Sequence, residues 1–307
     1  MDTLNRLLVG LDLSSADQTL INYTAYICTR LPVRQVSFIH VERHPETPPK
    51  RVNNLGTENR ESGAHIHEMI SSRVAADFSG LPQVETEVLV VTGDPLKQLL
   101  HWATEKQADL ILVGRKLRLH GSGAVGQKLL RHGRISVLFV PEAFEPRLRK
   151  VVVSLDFSKH SEMALDRVNH FALVQPDVQV ACLHVYQVPT GYITLGMSYE
   201  DFDKRMQDIA QEKYDNLMER FPDLQHRAAF VLVRQGEHSD VGAMLVMEAK
   251  RLRADMLVMG AKGMTTVAVY VIGSVTEKVL RHDMDIPLLV FENKDGEKLG
   301  FLDAIME

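Results

Sequence analysis

The stretch Val258-Met259-Gly260-Ala261-Lys262-Gly263, followed after a short run by Val271-Ile272-Gly273-Ser274-Val275-Thr276-Glu277, reads as a strand end, a loop and a helix start. A glycine at the carboxyl end of a strand lets backbone approach a ligand closely, and a Gly-Ser-x-Thr helix start points free N–H groups and two hydroxyls at an anion. The combination predicts a phosphate cradle.

Working outward, the second half of the chain repeats the first. Leu7-Leu8-Val9-Gly10-Leu11-Asp12-Leu13-Ser14 matches Val151-Val152-Val153-Ser154-Leu155-Asp156-Phe157-Ser158. Phe38-Ile39-His40-Val41 matches Cys182-Leu183-His184-Val185, and the run from Ala108 to Gly114 matches that from Ala254 to Gly260. The segment from Gly123 to His132 pairs with that from Gly273 to His282, and a closing apolar run follows each. The boundary falls near Phe144-Glu145-Pro146-Arg147, which divides the chain into domains at 1–146 and 147–307.

Within each half, short runs rich in Val, Ile and Leu alternate with longer amphipathic stretches, the mark of βαβ units around a buried parallel sheet. In the second half the strands are expected near 150–155, 179–185, 228–234, 255–260 and 286–291, with helices near 159–174, 200–221, 239–252 and 274–283. The fold class is therefore α/β, two tandem doubly wound domains, each a five-stranded parallel sheet flanked by helices. Ligands on such sheets gather at the carboxyl ends of strands where strand order reverses. Two connections are long, from about Glu42 to Asn59 and from about Tyr186 to Tyr199. The first, from His44 to Arg51, is expected to be mobile; the aromatics of the second could pack over a ligand.

Composition bounds the function. With 307 residues, 45% hydrophobic and 24% charged, the chain reads as soluble and globular, and a net charge of -5 gives no global attraction to nucleic acid. No apolar run reaches the length of a membrane span, and the amino terminus lacks the pattern of a secretory leader. Cys28 and Cys182 sit in apolar segments without ligand spacing and are expected to be reduced core residues of a cytoplasmic protein.

Several motifs have two readings. Asp156 with Ser158 can cap a helix or offer a carboxylate to a ligand donor such as an adenine amino group or a ribose hydroxyl. Ser274-Val275-Thr276-Glu277 also fits a capping box, in which Ser274 bonds the N3 amide and Glu277 reaches back. Lys262 could supply a point charge to a terminal phosphate or stand as a solvated loop lysine. His40 and His184 read as satisfied interior histidines, and His65-x-His67 on a helix points to different faces, against a metal pair. No Walker A loop, Gly-x-Ser-x-Gly elbow or zinc spacing is present, so no catalytic or metal-binding residue is assigned.

Gly260-x2-Gly263-x9-Gly273-Ser274, with Asp156 and His184-Val185 at two strand ends, resembles the ATP-binding signature of the universal stress protein family, over nearly the whole chain as two tandem copies. The resemblance implies that Leu155 and Asp156 hold adenine, that Val185 packs on the base, and that Met259, Gly260, Lys262, Gly263, Gly273, Ser274, Val275 and Thr276 hold ribose and phosphates. It implies ATP, or ADP or AMP, with Mg2+ accompanying the nucleotide, in a cytoplasmic stress-response regulator. It also implies self-association through the last strands, Ile135 to Val140 and Ile286 to Phe291, which pair either within the chain or between chains, as in a dimer. Nucleic acid and membrane are not expected partners.

The first copy departs from this signature. Its glycine loop, from Gly114 to Gly123, is four residues shorter than that from Gly260 to Gly273, Leu117 stands at the second glycine, and Ala124 and Gly126 replace Ser274 and Thr276. Gly121-Ser122-Gly123-Ala124-Val125-Gly126 fits the dinucleotide fingerprint by letter but follows the fourth strand, not the first, so it reads as a remnant suited to a small anion. The alternatives are an interaction scaffold that binds no nucleotide, or a slow ATPase or transferase.

Overall fold

A computed structural model describes residues 4–43, 55–115, 124–132, 135–192, 194–236, 239–263, 272–282 and 285–292, with backbone alone at 55–62 and 124. The expected loop from His44 to Arg51 and the glycine-rich run from Gly121 to Gly123 lie outside the described residues. The chain divides into two compact units, Met1–Pro146 and Arg147–Glu307.

The first unit runs β1 (Arg6–Leu11), α1 (Ala16–Arg30), β2 (Gln35–Glu42), α2 (Leu55–Phe78), β3 (Glu85–Thr92), α3 (Pro95–Glu105), β4 (Leu110–Arg115), α4 (Ala124–His132) and β5 (Ser136–Pro141). The second runs β6 (Lys150–Ser154), α5 (Lys159–Val174), β7 (Gln179–Tyr186), α6 (Tyr199–Met218), α7 (Pro222–Gln225), β8 (Ala228–Arg234), α8 (Val241–Arg251), β9 (Met256–Gly260), α9 (Ser274–Arg281) and β10 (Leu288–Phe291). Strand order is β3-β2-β1-β4-β5 in the first unit and β10-β9-β6-β7-β8 in the second. All ladders within each unit are parallel among the described residues. Each first strand is thus flanked by the second and fourth, and the chain's progress across the sheet reverses there.

The helix expected over 200–221 is two. α6 stops at Met218 and Pro222 begins α7 at its first position, because proline has no N–H to continue the ladder but suits a helix start. α2 begins at Leu55, inside the long connection expected up to Asn59. The sheet centres are sealed on both faces: Leu8, Val9, Ile111 and Leu112 in one unit, and Val152, Val153, Leu257 and Val258 in the other, have no measurable exposure. Cys28 and Cys182 are buried free thiols, and burial pushes both up to about 12, which keeps them protonated and unreactive at neutral pH.

Repetition extends to the hydrogen bonds that join elements. One oxygen of Asp109 accepts from the backbone N–H of Asn5 and Arg6, at 2.9 and 3.0 Å, and one of Asp255 accepts from Arg149 and Lys150, at 2.8 and 2.9 Å. Hydrogen bonds to charged groups contribute about 1.5–3 kcal/mol each, so each aspartate ties the start of its fourth strand to the first. The ring Nδ1 of His40 meets the carbonyl of Leu11 at 3.0 Å, and that of His184 meets Leu155 at 2.7 Å. Each first strand is followed, two or three residues on, by a non-glycine residue with left-handed backbone, Leu13 at φ 61° and Phe157 at φ 60°.

What holds that turn differs between the units. In the second, Ser161 Oγ accepts from Asp156 N at 3.4 Å. In the first, Asp17 stands in its place, 3% exposed, and accepts from Asp12 N at 3.2 Å and Leu13 N at 2.8 Å. Burial, reinforced by the neighbouring Asp12 charge and opposed by those two hydrogen bonds, raises Asp17 from 3.8 to about 6. The last helix differs too. A side chain at Gly126 would come within 2.3 Å of the Phe139 ring, whereas the equivalent Thr276 is accommodated in the second unit, where Val290 takes the place of Phe139. The large residue has moved from helix to strand and total volume is conserved.

A folded-state pKa above the unfolded one means that Asp17 supports folding below about pH 3.8 and loses that support as pH rises through about 6. Relative to wild type, Asp17→Ser should therefore gain about 1–3 kcal/mol between pH 4 and pH 7 in denaturant unfolding, and a pH-independent difference refutes it. Gly126→Thr alone should cost about 1–3 kcal/mol through overpacking. Combined with Phe139→Val it should cost clearly less than the sum of the two single changes; strict additivity would show that the exchange is not compensatory.

Candidate functional site

In the second unit the strand-order reversal lies between β6 and β9, and a cavity of about 450 Å³ opens at their carboxyl ends. That volume is within the range of small-molecule sites, about 300–1,000 Å³. All eleven residues expected from the signature line it: Leu155, Asp156, Val185, Met259, Gly260, Lys262, Gly263, Gly273, Ser274, Val275 and Thr276.

Asp156 leaves β6 and bends the chain into α5. Its Oδ1 accepts from Ser158 N at 3.0 Å, and Ser158 in turn caps α5, its hydroxyl accepting from Ser161 N at 3.3 Å. The capping and ligand readings therefore divide between residues: Ser158 is the cap, and Asp156 commits one oxygen to the turn. The other, Oδ2, faces the glycine loop, since a side chain at Gly263 would meet it at 2.8 Å.

Each glycine of the loop has its own neighbour. A side chain at Gly260 would strike the backbone of His160 at 2.7 Å, so the absence of one lets α5 approach, and the same glycine lines the cavity. Gly273 lies over the loop itself, its N–H donating to Ala261 O at 2.8 Å and its missing side chain leaving 3.2 Å to Gly263 N. Gly263 alone of the three is shaped by a carboxylate that lines the cavity.

The expected capping box at Ser274 is not formed. Gly273 is the N-cap of α9, without a side-chain bond, and Ser274 is the first helical residue, exposed at the cavity mouth. A glycine N-cap frees that serine hydroxyl from helix duty. Thr276 is the reverse case: 2% exposed, it donates its hydroxyl to Gly260 O at 3.0 Å and pins α9 to β9. α9 is also fixed from α8, because a side chain at Gly242 would lie 2.6 Å from Lys278, while Asp240 meets Lys278 at 3.2 Å and His282 at 3.1 Å.

Lys262 is not a solvated loop lysine. Its side chain is 13% exposed, with Nζ 3.9 Å from Glu292 Oε1. Burial, then the Lys262 charge, lowers the basicity of His160. His184 is also held below its ordinary value, by burial first. A carbonyl only accepts, so the His184 nitrogen facing Leu155 O carries the hydrogen and the neutral ring is an Nδ1–H tautomer.

The cavity has walls that motif reading did not reach. Met206, Ile209 and Lys213 of α6 and Val241 and Leu245 of α8 line it, with Phe157, whose ring lies 4.8 Å from that of His184. Met206, Ile209 and Lys213 share helical spacing, a signal visible in sequence, but spacing alone does not separate a cavity wall from a core face. In the connection before α6, Tyr192 packs against Tyr199 and Phe202, with centroids at 5.6 and 6.2 Å, and none of the described residues between Gln187 and Met206 lines the cavity.

Among the described residues, no group of three or more His, Cys, Asp or Glu side chains is placed to hold a metal ion, and no helix is long and apolar enough to cross a membrane. In the first unit, the loop that would complete a corresponding site, including Leu117, and the side chain of Ala124 lie outside the described residues.

The fold is shared with known structures. A universal stress protein from Archaeoglobus fulgidus superposes with a TM-score of 0.67 over 96% of this chain and 98% of its own, at 16% identity. A Pseudomonas aeruginosa protein described as functionally unknown gives 0.62 over 95% and 94%, at 13% identity. In sequence, a universal stress protein of Methanocaldococcus jannaschii is 25% identical over 163 residues, 48% of this chain and 97% of that protein. The model of the universal stress protein family matches twice, at residues 3–141 and 147–291. With both repeats matched and five parallel strands in each unit, the chain belongs to the universal stress protein family and carries two tandem domains of it.

Proposed function

We propose that the second unit binds ATP or a related adenine nucleotide and that the protein acts as a cytoplasmic stress-response regulator, not as a metabolic enzyme. The observation that carries this reading is the convergence of Asp156, Val185, the Gly260–Gly263 loop and the Gly273-Ser274 helix start on one cavity. Asp156 Oδ2 offers an acceptor to an amino or ribose hydroxyl donor, and Val185 offers an apolar face to the base. The α9 terminus, with the Ser274 hydroxyl and Lys262, offers donors and positive potential to phosphates. Mg2+ would arrive on the phosphates, held by them and by water. No residue is assigned as a general base, so hydrolysis is not part of the proposal. Self-association between copies is part of it, and sedimentation velocity reads it directly.

An interaction scaffold without nucleotide is the second reading. It is favoured by the structural use of the Thr276 hydroxyl and of Asp156 Oδ1, both engaged within the protein. Mass spectrometry of the protein denatured after purification without added ligand separates the two, because released adenine nucleotide counts against the scaffold.

The direct test is calorimetry with ATP and AMP. Gly263→Val places a side chain against Asp156 Oδ2, where even a Cβ would come within 2.8 Å, and should weaken both nucleotides by about tenfold or more, roughly 1.4 kcal/mol. Unaltered affinity in a folded variant would remove the proposed site.

A further inference from the structure

The glycine loop brings a cation to the cavity, and the chain leaving the last strand brings a carboxylate to that cation. Lys262 lines the cavity, and its Nζ lies 3.9 Å from Oε1 of Glu292, with the two side chains 13% and 8% exposed. Backbone holds them in this relation. Phe291 is the ladder partner of Gly260, and Ala261 N donates to Phe291 O at 2.8 Å, so the residues after β9 and β10 leave the sheet side by side. Exposed ion pairs exchange readily with water and count for little. Charges sheltered to this degree interact more strongly, and a third charge brought to either one is felt by both.

We propose that Glu292 sets the phosphate preference of the nucleotide site. It competes with phosphate for the Lys262 ammonium and places a negative charge behind it, so each added phosphate gains less from Lys262 than an uncommitted lysine would give. Glu292 is a positioning residue in this scheme: it acts through Lys262 and touches no nucleotide. The inference rests on the nucleotide reading of the cavity and adds to it a reason for the chain to favour nucleotides with fewer phosphates.

The test is an affinity ladder. Binding of AMP, ADP and ATP is measured by calorimetry on the full chain for wild type, Glu292→Gln, Glu292→Asp and Lys262→Met, with thermal unfolding of each protein as the folding control. Glu292→Gln should tighten ATP by about tenfold while AMP changes by less than about twofold, the size of one charge-assisted contact recovered. Glu292→Asp, with the charge kept but withdrawn, should fall between, and it carries the test if the Gln variant does not fold. Lys262→Met should flatten the ladder. A Glu292 variant that moves all three nucleotides equally, moves none, or weakens ATP overturns the proposal while leaving the nucleotide site standing. Absence of any nucleotide binding by wild type would instead bring down the site and this inference together.

Discussion

The turn at the end of each first strand is the constraint on which the rest of each unit depends. A residue with a side chain is held in left-handed backbone there, at an intrinsic cost of about 1–3 kcal/mol, and persists because hydrogen bonds on both sides determine it. In the second unit these bonds run from Ser158 N to Asp156 Oδ1 and from Asp156 N to Ser161 Oγ. The turn sends the chain from the centre of the sheet into α5 within a few residues and leaves Asp156 at the strand-order reversal. The packing of α5 against Gly260 and the position of the glycine loop against Asp156 are built on that placement.

Fold and site consequently share residues. All three glycines line the cavity, and a side chain would meet a helix at Gly260, the loop itself at Gly273 and a carboxylate at Gly263. Thr276 uses its hydroxyl to hold α9 on β9, whereas Ser274, two residues earlier, keeps its hydroxyl outside the cap. A signature of this kind marks a place in the fold as much as a ligand, since much of it would be required to assemble the crevice whether or not anything entered.

The two units show how far such a frame tolerates change. Asp109 and Asp255, His40 and His184, and Leu13 and Phe157 perform the same tasks in each. Asp17 replaces Ser161 at the turn, which introduces a buried carboxyl with a proton affinity near neutrality. Gly126 and Phe139 stand where the second unit has Thr276 and Val290, and the Phe139 ring leaves no room for a side chain at Gly126, so packing accounts for the missing hydroxyl in the first unit.

The sequence by itself determined the repeat and the α/β class, because strand periodicity is local and survives in one dimension, and its resemblance to a family signature picked out eleven residues that line one cavity. Only the tertiary structure decided what each residue does there. Glu292 lies thirty positions from Lys262, and nothing local joins them; parallel pairing of β9 with β10 does. The cavity walls from α6 and α8 arise in the same way, from helices whose apolar faces look alike in sequence whether they meet a core or a crevice. The choice between the two readings of Ser274 was hidden for a related reason. A cap is chosen by where the helix begins, and here Gly273, where a side chain would come within 3.2–3.3 Å of the loop backbone, takes the cap position ahead of Ser274.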